Sequence, residues 1–195
     1  MSSKQTPSQT VGPFFAYGMT PEQYGYDFAS IAGATVEGIE DSAAVTVEGH
    51  VFDGAGTVIG DAVIEIWQAD TEGRYNHPND QRSSNQAFKG FARWGTGTDP
   101  ENRFVFRTVK PGPVDSEQAP HINVIVFMRG MPNHAYTRLY FPDEVVANAK
   151  DPVLMSIPEE RRGTLLAEKI ERDGGVVYRF DIHMQGAAET VFFDV

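Results

Sequence analysis

A chain of 195 residues with a formal charge of −11 and no cysteine suits one ordinary domain, which should bury roughly 70% of its unfolded surface. Without cysteine, disulfide frameworks, thiolate metal sites and cysteine nucleophiles are excluded, and any metal must be held by His, Tyr, Asp or Glu. The acidic balance argues against a nucleic-acid or anionic-membrane surface, and with no secretory pattern and no run near the ~20 apolar residues of a membrane span, the chain is expected to be soluble and cytoplasmic.

Residues 1–43 are rich in Gly, Pro, Ser, Thr and aromatics, with no periodicity beyond a loose trace around 20–30. They read as an N-terminal arm. Phe14, Phe15, Tyr17, Tyr24, Tyr26 and Phe28 are too apolar for a solvated tail, so the arm is expected to lie on a surface, its own or a partner's. From residue 44 the pattern changes to short runs with a period near two. AVTVEGHVF (44–52) places Val45, Val47 and Val51 on one face, DGAG turns the chain, and AVIEIWQAD (62–70) follows. Further strand candidates are AFKGFARW (87–94), RFVFRTV (103–109), HINVIVFMRG (121–130), TRLYF (137–141), VVYRFDIHMQ (176–185) and TVFFDV (190–195). Two stretches read as helical: PDEVVANA (142–149) and PEERRGTLLAEKI (158–170), the second with a proline near its start and acids in its first turn. The pattern predicts an all-β domain over 44–195, an antiparallel sandwich or barrel with one or two short helices.

Five histidines stand at 50, 77, 121, 134 and 183. His50 and His183 fall inside strand patterns, where a satisfied structural histidine is the ordinary reading. RYNHPND (74–80) gathers Tyr75, His77 and turn formers on a predicted loop. His121 opens a strand as His-x-Asn; a His-x-His pair there would set two imidazoles on one face at chelating distance. Glycine-rich dinucleotide and phosphate loops, His-Glu-x-x-His and a Gly-x-Ser-x-Gly elbow are all missing from the sequence.

GHVFDGAGTVIGDAVIEIWQADTEGRYNHPND (49–80) resembles the signature of the intradiol ring-cleavage dioxygenases, with its Gly-x-Val-x-Asp, Glu-x-Trp-Gln-Ala and Gly-x-Tyr order. FRTVKPGP (106–113), APHINV (119–124), TRLYF and YRFDI (178–182) follow in the family's order, flanked by TPSQTVGPFF (6–15) and AAETVFFDV (187–195). The resemblance implies a β-sandwich over 44–195. It also implies a non-haem Fe(III) chemistry in which two tyrosines and two histidines hold the metal and a catechol ring is opened with O2.

Tyr75 matches the first ligand position and His121 the third. Val114 stands where the second tyrosine is expected, Asn123 where the second histidine is expected, and Gln118 where iron-bearing chains have an arginine. Hard ferric iron needs anionic phenolates and imidazoles, and a valine coordinates nothing. The resemblance therefore implies a chain without its own catalytic metal, its Tyr75 and His121 being vestigial, paired with a beta subunit of the same fold that carries the Fe(III). Residues 1–43 would pack on that partner. Thr10, Gly12, Pro13 and Phe14, with Arg129, would line the substrate pocket at the interface; Phe14 stands where a tyrosine is expected. The implied reaction of the complex is cleavage of protocatechuate with O2 to 3-carboxy-cis,cis-muconate. Two other readings remain open from the sequence: a non-enzymatic β-sandwich binding module, and a self-sufficient dioxygenase using Tyr75 and His121 with His77 or His134.

Overall fold

β-Branched and aromatic runs become strands because such side chains pack well on a pleated, half-buried surface. In the computed structural model, which describes residues 9–12, 14–82 and 87–194, these runs form β1 (Ala44–Gly49), β2 (Val51–Phe52), β3 (Val63–Trp67), β4 (Phe91–Gly95), β5 (Phe104–Val109), β6 (His121–Phe127), β7 (Ala135–Tyr140), β8 (Glu168–Arg172), β9 (Gly175–Arg179) and β10 (Ile182–His183). The strands make two four-stranded sheets, ordered β5-β1-β9-β8 and β4-β3-β6-β7, and a small β10-β2 pair. Val47, Phe104, Phe106 and Tyr178 from the first sheet meet Ile64, Ile66, Ile122, Val124 and Val126 from the second in one buried cluster. That shared core makes the molecule a β-sandwich.

Three features differ from the sequence reading. First, the sandwich is not wholly antiparallel: β9 lies parallel to β1, and β10 parallel to β2, because the chain returns from the β8–β9 hairpin to run alongside the first strands. Second, the helix expected over 158–170 is short. It forms as α4 (Glu159–Arg162), after α1 (Phe15–Met19), α2 (Val145–Asn148) and α3 (Pro152–Met155), continues as a single 3-10 turn over Gly163–Leu165, and gives way to β8. Glu168, Lys169, Glu171 and Arg172 are good helix formers, but here they are exposed on a charged edge strand, where ladder bonds to β9 outweigh weak propensity. Third, TVFFDV makes one isolated bridge, Tyr136 to Phe193, and no strand among the described residues.

The segment before β1 closes open sheet edges. Gln23 donates its amide to the Gly95 carbonyl and accepts from the Gly95 N–H on edge strand β4, while Val36 donates to the Arg107 carbonyl on edge strand β5. Its aromatic side chains form a row, Phe14–Tyr17–Tyr26–Phe28. The row is only partly covered: Phe14 is 70% exposed, and Tyr26, Phe28 and Ile31 are exposed as well.

Candidate functional site: a polar cluster on the outer face of the second sheet

Register decides what meets on the outer face. Asn123 pairs with Trp67 on one side and with Arg138 on the other, and His121 pairs with Tyr140. Since Ile66, Ile122, Val124 and Leu139 point into the core, the alternate residues Trp67, His121, Asn123, Arg138 and Tyr140 share the opposite face. Asp151, fully buried, fixes one end of this face. Its carboxylate accepts from the Ala119 N–H at 2.9 Å, the Leu154 N–H at 2.8 Å and the Tyr140 hydroxyl at 3.1 Å. One side chain thereby caps α3, seats Tyr140 and holds the backbone two residues before His121.

Tyr75 reaches this face on the loop after β3. Gly73 has φ +77°, and a Cβ there would fall 1.8 Å from the Pro113 carbonyl oxygen, so only glycine allows the two loops to touch. Arg82 clamps them: it donates to the Val114 carbonyl at 2.7 Å and to the Gly73 carbonyl at 3.0 Å, while paired with Asp80. Asp80 in turn accepts from the Tyr75 N–H at 2.9 Å. The Tyr75 ring lies nearly parallel to Trp67, 5.7 Å between centroids. Above them opens a cavity of about 480 Å³ lined by Trp67, Tyr75, His77, Asn79, Asp80 and Arg82.

The structure thus brings Tyr75, His121 and Asn123 into one cluster, with the Val114 segment beside it. The donor chemistry does not suit ferric iron. Val114 offers no lone pair. The Asn123 amide nitrogen donates to the Tyr75 hydroxyl and to the Trp67 carbonyl, both at 3.2 Å. Burial raises the Tyr75 phenol above its usual range, so it stays protonated at neutral pH despite the opposing pull of Asn123 and Arg138. Burial, reinforced by the Arg138 charge, pushes His121 down to about 4, which makes it neutral. Its Nδ1–H donates to the Ala119 carbonyl at 2.8 Å, so Nε2 carries the lone pair. Orientation by a backbone carbonyl is how a ligating histidine is usually held, but the ring packed beside this one is the Tyr140 phenol, 5.8 Å between centroids, whose hydroxyl donates to Asp151. Among the described residues no group of three or more His, Asp or Glu could hold a metal ion.

Of the remaining histidines, His77 lines the cavity beside Tyr75 and the other three lie elsewhere. His50 contacts Asp181, and His183 stacks on Phe52. His77 accepts from the Asn79 N–H. His134 bonds the Tyr136 hydroxyl; it lies six residues before Tyr140, just ahead of β7, ~20 Å away at strand rise, at the far end from His121. His134 therefore does not meet Tyr75, His77 and His121 around one point.

Of the residues expected to line a shared pocket, Thr10 and the β6–β7 loop meet: the Gly130 N–H donates to the Thr10 hydroxyl at 2.8 Å. Arg129, next in line, has a 58% exposed side chain and pairs with Asp61, 2.5 Å from Nε to Oδ2. Gly12 accepts from the Phe15 N–H and has open space around its Cα. Phe14 projects outward. Pro13 lies outside the described residues.

Sequence reasoning missed Arg138, Tyr140, Asp151, Arg82 and Asp61. TRLYF carried Arg138 and Tyr140 in plain view, but only the β6–β7 register shows which residues they face.

Set against known proteins, the dioxygenase family model matches residues 12–186. The chain is 55% identical over 194 residues to the protocatechuate 3,4-dioxygenase alpha chain of Burkholderia cepacia, covering 98% of each. It is also 31% identical over 158 residues to the beta chain of the same enzyme from that organism, covering 75% of this chain and 66% of the relative. Among solved structures, the dioxygenase domain of a dioxygenase carbohydrate-binding protein fusion from Streptomyces sp. SirexAA-E shares the fold, with a TM-score of 0.55 at 24% identity over 94% of this chain and 100% of that one. This chain belongs to the intradiol ring-cleavage dioxygenase family.

Proposed function

We propose that this chain is the metal-free subunit of a protocatechuate 3,4-dioxygenase, pairing with a beta subunit of the same fold that holds the Fe(III), and shaping the substrate pocket of that partner. One observation carries the reading: similarity to alpha chains runs from end to end, while Val114 and Asn123 leave a donor set that cannot serve ferric iron. Similarity to a beta chain as well supports a partner built on the same sandwich.

The contribution of this chain is position and charge. The Thr10–Gly130 bond fixes the arm beside Arg129, so Gly12 and Phe14 can present a preformed wall to the partner. A wall fixed in advance supplies orientation, the cheapest way to favour a reactive geometry. Phe14 adds an apolar, water-excluding face and no hydroxyl. The Arg129 guanidinium suits the carboxylate of an incoming protocatechuate, held at a set angle by Asp61. The exposed aromatic row of the arm provides the residue types enriched at the centre of protein interfaces.

Oxygen uptake with protocatechuate tests this directly, on the chain alone, on an iron-bearing partner alone, and on the co-expressed pair. Full turnover by the pair, with an elevated KM or none from the partner alone, is the expected result. Turnover by this chain alone would overturn the reading.

A further inference from the structure

A second cavity shares no lining residue with the one above Tyr75, and its walls are mainly thioethers. The β6–β7 loop supplies Met128 and Met131, and β7 opens beside it with Ala135, which pairs with Val126. The last residues of the chain are drawn to the same side, where the Phe193 N–H donates to the Tyr136 carbonyl and Phe192 joins the wall. Met184 arrives from β10, its N–H bonded to the Phe52 carbonyl. Met128, Met184 and Phe192 also pack against the hydrophobic core, which gives the cavity a firm floor. Its volume is about 340 Å³, within the range of small-molecule pockets.

Arg129 lines the same cavity with a 58% exposed side chain. Asp61 takes its Nε, and the guanidinium fork carries further N–H donors on its two terminal nitrogens. Asp53 also lines the cavity, but its Oδ1 is committed to the Ala55 and Thr57 N–H groups. Apolar walls with one guanidinium beside them suit a small molecule that is apolar at one end and a carboxylate at the other. Methionine adds a preference of its own: the polarizable sulfur makes favourable contacts with aromatic rings, and the unbranched chain adapts to a ring's outline.

We propose that this cavity binds a small aromatic carboxylate, with the ring among Met128, Met131, Met184 and Phe192 and the carboxylate on the terminal nitrogens of Arg129. The site belongs to this chain's own surface and needs no metal. It stands whether or not a partner's pocket also uses Arg129. An alcohol on the same ring lacks the charge, and acetate lacks the ring, so each makes only half of the contacts.

The test uses the full chain, isotope-labelled in its methionine methyl groups and titrated by NMR with benzoate, benzyl alcohol and acetate. Benzoate is expected to move the methyl signals of Met128, Met131 and Met184 along one saturating curve. Those of Met19 and Met155, which do not line the cavity, should stay in place. Benzyl alcohol and acetate should need at least tenfold higher concentrations. Arg129→Gln changes an exposed side chain and leaves the apolar walls intact; it should weaken benzoate at least tenfold and leave benzyl alcohol unchanged. Equal shifts at all methionines, no response to benzoate, or undiminished benzoate binding in Arg129→Gln would each overturn the proposal. If benzoate is silent while an added iron-bearing beta subunit moves the same three methyls, the cavity belongs to the subunit interface instead. Failure of the beta subunit to bind would count against the proposed function and leave the benzoate result as it stands.

Discussion

Asn123 donates its side-chain amide to the Tyr75 hydroxyl across 3.2 Å, linking β6 to the loop after β3. Two positions that the family resemblance marks for metal binding here satisfy each other. Tyr75→Phe should cost about 1 kcal/mol, the net worth of a neutral hydrogen bond, and so should Asn123→Ala beyond its small packing loss. A double-mutant cycle in urea should show that the two losses are not additive. Additive losses would mean the pair is not coupled.

The pH dependence of stability follows from His121. Its folded pKa of about 4 lies below the ordinary 6.5, so the unfolded chain binds the proton more readily. The contribution is fully present above pH ~6.5 and is lost progressively as pH falls toward 4, up to about 3 kcal/mol. Urea unfolding between pH 4 and 7.5 should show this slope, and His121→Gln should flatten it. An unchanged slope in the variant would place the titration elsewhere.

Asp151 anchors three buried donors at once. Asp151→Ala leaves the Ala119 and Leu154 N–H groups and the Tyr140 hydroxyl without their acceptor, and should destabilise the chain by about 3 kcal/mol or more. Asp151→Asn keeps an acceptor oxygen and should recover part of it. Equilibrium denaturation of both variants checks the order.

How much of this was legible beforehand depends on how local the cause is. Strands β1, β3, β5, β6 and β7 follow from period-two patterns carried by a few neighbouring residues. The stretch after Gly163 misled, because Glu168 to Arg172 form good helix on their own and become strand only through β9. Tyr75, Val114, His121 and Asn123 could be picked out from motif order. The Arg138 cation could not, since it faces Asn123 only through a ladder register. Neither could the Thr10–Gly130 bond, which spans 120 residues, nor the Arg82 clamp, whose targets are backbone carbonyls.

Under the proposed function, Arg129 and its tether make a kinetic prediction for the assembled complex. Arg129→Ala should raise KM for protocatechuate about tenfold with kcat little changed, the pattern of lost uniform binding. Its effect should shrink for a catechol lacking the carboxylate. Asp61→Asn, which frees the guanidinium, should shift KM by less than Arg129→Ala and leave iron content untouched. Steady-state kinetics with both substrates would show it; equal effects on the two substrates would remove Arg129 from carboxylate recognition.

The most direct measurement is the iron content and visible absorption of this chain purified alone, compared with the chain co-expressed with an iron-bearing partner of the same family. Tyrosinate-to-iron(III) charge transfer gives such centres visible colour, so the readout is immediate. The account predicts a colourless, iron-free chain alone and a coloured complex holding one iron per pair. Stoichiometric iron and visible absorption in the lone chain would contradict it, and would mean that further ligands join Tyr75 and His121 in place of Val114 and Asn123.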